Sequence, residues 1–346
     1  MIYTIELRPS GRTFQVSEDE VLLDAALARG IRMPYGCRGG TCKSCRAKVI
    51  SGSADVGRAF PAPRYLLRSR QFDGYTLMCR ATAASDLVIE VDEQPRLQPA
   101  AIRTAHVLET EFVTSDIAIF RLRLTASDAL TFVAGQYVDL LLPDGERRSF
   151  SIANPPSATG RQDLEFHIRH VSGGAFTGKL FAGLPAGMEF SIEAPLGSFY
   201  LRESLRPAIM LASGTGYAPI RSMLLDLLPR LQKRRVILYW GARKLEDVYK
   251  FEEAENLARD YPDFAFVPVL SEMADGDGWR GRTGFVHQAV AQDFPDLSSW
   301  DVYACGTPLM VAAAQREFTA NHGLGVGNFF ADAFVTRADL AAAELP

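Results

Sequence analysis

Apolar and polar positions along the chain fall into three successive rhythms. In residues 1–95, Tyr3–Leu7 and Thr13–Val16 alternate around the turn Pro9-Ser10-Gly11, the period of half-buried strands. Val21–Arg29 sets Val21, Leu22, Ala25 and Ala26 at helical spacing and stops at Gly30. Ala47–Ser51 and Leu87–Val91 read as further strands. Residues 92–102 carry two prolines among polar residues and read as a linker, with 96–102 as the stretch between domains. In residues 103–204 short strands follow one another: Val107–Glu111, Ala118–Leu124, Tyr137–Leu142, Leu164–His170 and Glu189–Ala194. Gly and Pro separate them, the pattern of an antiparallel barrel or sandwich. From residue 205 to 346 strands and helices alternate: strand Ile209–Ala212, helix Ala218–Leu231, strand Val236–Trp240, helix Glu246–Asp260, strand Phe264–Leu270, helix Phe285–Asp293, strand Val302–Cys305, helix Pro308–Ala320, strand Phe329–Ala331. That alternation predicts a doubly wound parallel sheet.

Composition narrows the class without changing this division. Of 346 residues, 47% are hydrophobic and 23% charged, which excludes a disordered or collagen-like chain. The net charge of −4 offers no basic excess for nucleic acid. No apolar run is long enough to span a membrane, and Met1–Gly11 lacks the pattern of a signal peptide. The expected setting is the cytoplasm.

The five cysteines carry the first chemistry. An odd count in a long chain argues against a disulfide framework. Cys37, Cys42 and Cys45 stand in C-x4-C-x2-C spacing, with Cys79 further on, the plant-type spacing for a [2Fe–2S] cluster on four thiolates. Gly36, Gly39, Gly40, Thr41 and Ser44 leave the loop small enough to turn tightly and aim N–H groups at anionic sulfur. Zinc sites usually pair two short knuckles, and only one is present here. On these residues the segment 1–95 resembles a plant-type ferredoxin domain, which implies a β-grasp fold.

Two further segments point to nucleotides. In Arg148-Ser149-Phe150-Ser151, an extended chain puts Arg148 and Phe150 on one face and the serines on the other. A flavin requires a guanidinium for its pyrophosphate, a flat partner for its ring and a small polar group near N5. By itself the segment reads first as an ordinary strand with a surface arginine. Downstream, 173-GGAFTGKL-180 is a Gly-rich turn entering a helix, whose N-terminus favours phosphate. After strand Ile209–Ala212 comes 213-SGTGYAPI-220, where Gly214 and Gly216 would let a pyrophosphate approach the backbone. The segment 303-YACGTPLM-310 again closes a strand and opens a helix.

Together these motifs resemble the ferredoxin–NADP reductase superfamily. The resemblance implies that Arg148 holds the FAD phosphate and Phe150 packs on the isoalloxazine, a position usually tyrosine. Ser149 and Ser151 lie beside it, with Ser151 near N5. Gly173, Gly174 and Thr177 would hold the pyrophosphate, while His167 and Arg169, within His167–His170, run along the flavin edge. Gly214, Thr215 and Gly216 would take the nicotinamide dinucleotide. Cys305 and Gly306 would border the nicotinamide, with Cys305 orienting rather than attacking. Asp332 and Phe334, in 329-FFADAF-334, would be the acid and the aromatic that cover the flavin. Twelve residues follow Phe334, so the tail would have to fold away. Arg243 and Lys244 could hold a 2′-phosphate; equally, Arg243 could stack on adenine while Glu246 or Asp247 disfavours NADPH, and the balance falls toward NADH.

The whole chain then resembles reductase components of aromatic-ring-hydroxylating dioxygenases, of the terephthalate dioxygenase type, and reductases of CDP-6-deoxyglucoseen formation. This implies a hydride from NADH or NADPH to FAD and single electrons through the cluster to an oxygenase component. A CDP-deoxysugar or monooxygenase partner is the alternative, and a one-electron carrier without nicotinamide chemistry a further one. Residues 29–48 contain Arg29, Arg32, Arg38, Lys43, Arg46 and Lys48 and no acid. Residues 1–95 sum to +2 and the rest to −6. The rim reads either as a solvated surface offsetting the cluster's charge or as a docking face for an acidic patch.

Overall fold

The computed structural model describes residues 1–56, 74–94, 97–125, 128–230, 234–273 and 278–335. The chain divides into two units, Met1–Pro99 with the chain from Ala331 onward, and Ala100–Phe330.

In unit 1, β1 (Ile2–Arg8) points Ile5 and Leu7 inward and Glu6 outward, and β2 (Thr13–Ser17) buries Phe14 and Val16. Their register sets Ile5 opposite Phe14. The mixed sheet runs β2-β1-β7-β3-β5, with β3 Arg46–Ser51, β5 Tyr75–Leu77 and β7 Leu87–Glu90; β1 and β7 are parallel and the other pairs antiparallel. Helix α1 (Leu22–Ala28) buries Leu22, Leu23, Ala25 and Ala26, and the Leu23 amide donates to the Met78 carbonyl beside Cys79. Strands β4 (Ala54–Val56) and β6 (Ala81–Ala83) form a short ribbon. With three residues each, β4, β5 and β6 are too short for an alternating pattern to mark.

Unit 2 contains two sheets. The first is antiparallel, in the order β11-β10-β13-β8-β9-β12: β8 Ala101–Phe112, β9 Ile117–Leu124, β10 Tyr137–Leu141, β11 Arg147–Ser151, β12 Asp163–Arg169 and β13 Glu189–Leu196. A bridge between Ile152 and Phe166 brings its two outer strands together. Inside, Phe120 packs within 6.5 Å of the rings of Phe166, Phe176 and Phe190. Helix α2 (Ala175–Ala182) contributes Phe176 and Leu180 to this core. The linker reading is corrected at its end: Ala101 and Ile102 open β8 and pair with Ala194 and Glu193.

The second sheet is parallel through β14 (Ala208–Ser213), β15 (Val236–Ala242), β16 (Phe264–Leu270), β17 (Arg282–Thr283) and β18 (Asp301–Gly306), in the order β17-β16-β15-β14-β18-β19. Strands β14 and β18 are buried almost throughout, as coverage on both faces requires. Helices α3 (Tyr217–Leu227), α4 (Phe251–Asp260), α5 (Val286–Asp293) and α6 (Pro308–Asn321) connect the strands. Two helix expectations are corrected. The first ends at Leu227, because Pro229 has no amide to continue it, and passes into a tighter turn at Leu228–Arg230; Leu231 lies outside the described residues. The second begins at Phe251 rather than Glu246, since Leu245–Asp247 form a separate 3-10 turn and Val248 leaves helical geometry. The last strand, β19 (Phe329–Ala333), runs two residues longer than expected. Among the described residues no helix is long and apolar enough to cross a membrane.

Phe120→Ala empties a fully buried position ringed by three aromatics. It should cost about 3–5 kcal/mol, read as an earlier chemical-unfolding transition.

Candidate functional site

In unit 1 the loop Gly36–Cys45 departs from regular structure. Gly40 has φ +84, and two residues with side chains, Arg38 (+49) and Lys43 (+58), also take left-handed backbone. Such turns direct successive N–H groups into one concavity; the Cys42 amide donates to the Cys37 sulfur at 3.4 Å. The four thiols form two pairs: Cys37 with Cys42, and Cys45 with Cys79 at 3.1 Å between sulfurs. The Cys37 thiol's hydrogen bond, aided by Ser44 and opposed by burial, holds Cys42 below the ordinary thiol range, at about 6. The bond to Cys45, followed by burial, pushes Cys79 up. Among the described residues no three His, Cys, Asp or Glu side chains converge on a single metal ion. Two thiol pairs with a nest of amides fit the two irons and anionic sulfides of a [2Fe–2S] cluster rather than one zinc.

Asp332, expected beside the flavin, stands within unit 1 next to the cysteine loop. Its Oδ1 lies 2.8 Å from where a Cβ on Gly36 would stand, and the Cys42 sulfur 3.4 Å from the same point. Burial, then the neighbouring Cys42, pushes its carboxyl up to about 8. Phe334 follows it, half-buried, in the same unit. Residues 336–346, the tail expected to fold away, lie outside the described residues. Phe330 is a core aromatic of unit 2, stacked 4.9 Å from Tyr303.

In the antiparallel sheet, β11 stays extended from Arg147 to Ser151, pairing Phe150 with Val138 and Ser149 with Asp139. Phe150 meets Phe176 of α2 at 5.4 Å, so this strand adjoins the helix that Gly174 caps. Arg148 folds back on Glu146 and the Arg147 carbonyl. Ser149 donates to Asp139 at 2.6 Å, and Ser151 is buried. Gly173 takes φ +73. Thr177 turns its hydroxyl to Val171, donating to the carbonyl and accepting from the amide at 3.2 Å each. It therefore fixes the turn rather than pointing outward. The N–H groups that open α2 have no partner within the helix, which fits a phosphate.

The strand order reverses between β14 and β18, the switch point where parallel sheets bind ligands. Both predicted loops stand there and interlock. A Cβ on Gly216 would meet the Cys305 carbonyl at 2.1 Å, and one on Gly306 would meet Ser213 Oγ at 2.1 Å. The Thr307 amide donates to Ser213 Oγ at 3.0 Å. Gly216 thus lets the two loops pack against each other. Gly214 keeps φ +52, with Arg169 Nη2 3.1 Å from its missing Cβ; Arg169 is paired to Asp116. Thr215 is half-buried between the glycines and Cys305 fully buried. At the end of β15, Arg243 faces Asp247 at 3.6 Å, and Asp247 also accepts from the Lys244 amide.

A cluster that the sequence did not mark joins the two sheets of unit 2. Arg221 on α3 binds Glu165 of β12 at 3.0 Å and Glu253 of α4 at 2.6 Å. It also donates to the Ala153 carbonyl, while Ser222 donates to the Asn154 carbonyl. Arg121 binds the other oxygen of Glu165. His167, expected at the flavin, has its side chain enclosed here, between Tyr249 (2.8 Å) and Glu165 (3.2 Å). Burial lowers its pKa, so the ring is neutral at neutral pH. Glu165 accepts from Nε2–H and Nδ1 accepts from the Tyr249 hydroxyl. Burial alone would raise Glu165; the His167 bond and the charges of Arg221 and Arg121 outweigh it and hold the carboxyl at about 2. No local signal marks Arg221, Glu165, Glu253 and Tyr249, because each is ordinary in its own segment.

A four-thiol loop, a closed antiparallel sheet with an anion-favouring helix start, and a parallel sheet with glycine loops at its switch point define an oxidoreductase of iron–sulfur, flavin and nicotinamide modules. Residues 5–84 match the 2Fe-2S iron-sulfur cluster binding domain, 104–200 the oxidoreductase FAD-binding domain and 210–316 the oxidoreductase NAD-binding domain. The chain is 40% identical over 337 residues to the CDP-6-deoxy-L-threo-D-glycero-4-hexulose-3-dehydrase reductase of Yersinia pseudotuberculosis, covering 97% of this chain and 99% of that one. It is 35% identical to terephthalate 1,2-dioxygenase reductase component 1 of Comamonas sp, covering 97% and 98%. The crystal structure of the Amycolatopsis cytochrome P450 reductase GcoB matches with a TM-score of 0.76 at 33% identity, covering 96% of this chain and 99% of that one. The chain belongs to the family of three-module FAD and iron–sulfur reductases that use a nicotinamide cofactor.

Three outcomes follow from this geometry. Arg221→Met leaves the half-buried Glu165 and Glu253 without their shared cation, while Glu165 keeps Arg121, and should cost about 1.5–3 kcal/mol. Because Glu165 is held below its ordinary value, its contribution is complete above about pH 4.5 and is lost as pH falls toward 2. Glu165→Gln should flatten that limb of the stability–pH curve, by about 3 kcal/mol in total. Gly216→Ala must push the 305–306 loop aside. It should weaken NADH binding about tenfold, ~1.4 kcal/mol, with FAD retained, read by titration of the oxidised protein with NAD.

Proposed function

We propose that this chain takes a hydride from NADH onto FAD and passes electrons singly through a [2Fe–2S] cluster to a partner oxygenase component in the cytoplasm, a Rieske dioxygenase of aromatic hydrocarbon catabolism. The observation that carries the reading is that one chain holds both the paired thiols and the glycine loops at a switch point. When bound, nicotinamide supplies an electron pair, flavin accepts pairs and yields single electrons, and the cluster takes one at a time.

The chain's own residues bind and orient. Cys37 and Cys42 as one pair and Cys45 and Cys79 as the other would hold the irons of the cluster, and the loop amides would offset its negative charge. Arg148 and the start of α2 at Gly173 and Gly174 take the FAD phosphates, with Thr177 fixing that turn. Phe150 packs beside the ring and Ser149 and Ser151 line its polar edge. Only the backbone of His167 is left for the flavin, while Arg169 serves the Gly214 loop. Gly214, Thr215 and Gly216 hold the dinucleotide, and Cys305 and Gly306 border the nicotinamide without a nucleophilic role. Asp247 beside Arg243 sets a carboxylate where a 2′-phosphate would stand, which favours NADH. In fold terms we read a β-grasp domain over 1–95, a Greek-key barrel over 103–204 and a doubly wound domain over 205–346.

A second reading rests on the whole-length likeness to the Yersinia reductase: the acceptor is then a CDP-deoxysugar dehydrase. In either case the partner supplies the substrate specificity. The test is anaerobic stopped-flow mixing with NADH and with NADPH. Flavin bleaching followed by bleaching of the iron–sulfur band is expected, faster with NADH. Purified protein without iron and acid-labile sulfide would overturn the reading. Cys79→Ser should lose the iron–sulfur absorption and delivery to the partner, yet keep flavin bleaching by NADH.

The basic rim docks an acidic face of the partner. Arg38 and Lys43 are half-buried in left-handed backbone, whereas Arg29 and Lys48 are exposed. Arg29→Glu with Lys48→Glu should slow partner reduction about tenfold at low salt, converging with wild type at high salt. Partner kinetics that ignore both charge and salt would exclude this face.

A further inference from the structure

We propose that the segment Ala331–Val335 is a working part of the cysteine loop, a clasp that holds Gly36–Ser44 closed and sets the Asp332 carboxyl beside Cys42. The inference rests on reading the four cysteines as cluster ligands. Three contacts within unit 1 carry it. Ser44 Oγ donates to the Ala331 carbonyl at 2.8 Å, across 287 positions of sequence. A Cβ on Gly36 would lie 2.8 Å from Asp332 Oδ1 and 3.4 Å from Cys42 Sγ, so the carboxyl and the sulfur flank the same glycine. Val335 Cγ2 would lie 3.5 Å from a Cβ on Gly39. The contacts fall at the start, middle and end of the loop. Ala331, Asp332 and Ala333 are buried, so the segment is not lying loosely on a surface.

The sequence fits such a clasp. A side chain at Gly36 would collide with the carboxyl, which explains why the residue before the first ligand is glycine. Ser44, between the second and third ligands, spends its hydroxyl on the segment. Asp332 has no Lys or Arg partner among the described residues. A buried carboxyl there therefore acts on what it touches, the Gly36 backbone and the neighbourhood of Cys42. Asp332 and Ser44 are positioning residues toward the cluster, not ligands.

The test uses the full-length holoprotein, with iron release to an excess chelator, the electron paramagnetic resonance spectrum of the reduced cluster and FAD content as readouts. Ser44→Ala should release iron about fivefold faster, the factor that one lost hydrogen bond is worth, and Val335→Ser, which loses an apolar contact with the loop, should also release it faster, with FAD content unchanged in both. Asp332→Asn, which keeps the shape, should shift the g values and the midpoint potential of the cluster, a change that mere packing would not produce. Wild-type iron release in both loop variants together with an unaltered Asp332→Asn spectrum would overturn the inference. So would FAD lost in step with iron, which marks general unfolding. A wild-type chain without iron would overturn the cysteine reading, and this inference with it; wild-type iron with silent variants overturns the inference alone.

Discussion

A guanidinium shared between two carboxylates decides where the nucleotide loops of unit 2 stand. Arg221 lies on the helix that the Gly214–Gly216 loop opens, Glu165 on a barrel strand and Glu253 on the helix after β15. Taking three charges out of water is expensive, and apolar packing of the same volume would often be at least as stable. A planar fork, however, meets two carboxylates in few orientations. Tyr217, Tyr249 and His167 occupy remaining hydrogen-bonding positions, so the charges are not left half-satisfied. What this arrangement contributes is a single docking geometry between barrel and parallel sheet.

That geometry reaches the loops through short covalent distances. Arg221 and Ser222 hold the carbonyls of Ala153 and Asn154, the residues that continue β11 just past Ser151. Four positions before Arg221, the same helix begins at the Gly214–Gly216 turn. The Cys305–Gly306 loop then locks onto that turn from the adjacent strand, because neither Gly216 nor Gly306 has a Cβ to hold it away. The end of β11 and the two switch-point loops therefore form one frame. A reductase that moves a hydride between two bound rings requires such a frame, since reacting atoms must meet at close range.

The three modules were legible because each rests on a local signal: cysteine spacing, alternating strands, and strand–glycine–helix junctions. The ionic cluster was not. Glu165 and Glu253 lie 56 and 32 positions from Arg221 on either side, and each of the three looks like a solvated charge on its own element. Tyr249 was hidden inside a predicted helix; the chain breaks there between a 3-10 turn and α4, and the tyrosine reaches His167. His167 was misread for the same reason: strand alternation puts Glu165, His167 and Arg169 on one face but does not say what covers it. The neighbours of Asp332 were not legible because the last strand runs two residues beyond the pattern.

The cysteine loop poses the opposite problem, since its strain is local. Left-handed backbone at Arg38 and Lys43 costs roughly 1–3 kcal/mol at each non-glycine position, where glycine would be free of it. Side chains at those positions must therefore supply something. Arg38 sits 5.0 Å above the Tyr35 ring and 4.0 Å from Asp24, and both basic residues are half-buried beside the paired thiols. Four thiolates with two irons and two sulfides would carry net negative charge into a confined loop, and neutral glycines could answer it only with amides. A cation held partly out of water screens that charge more strongly than one in solvent. The unfavourable backbone at Arg38 is thus matched by contacts that a glycine could not make, with the Tyr35 ring and Asp24, which tie the cysteine loop to its surroundings.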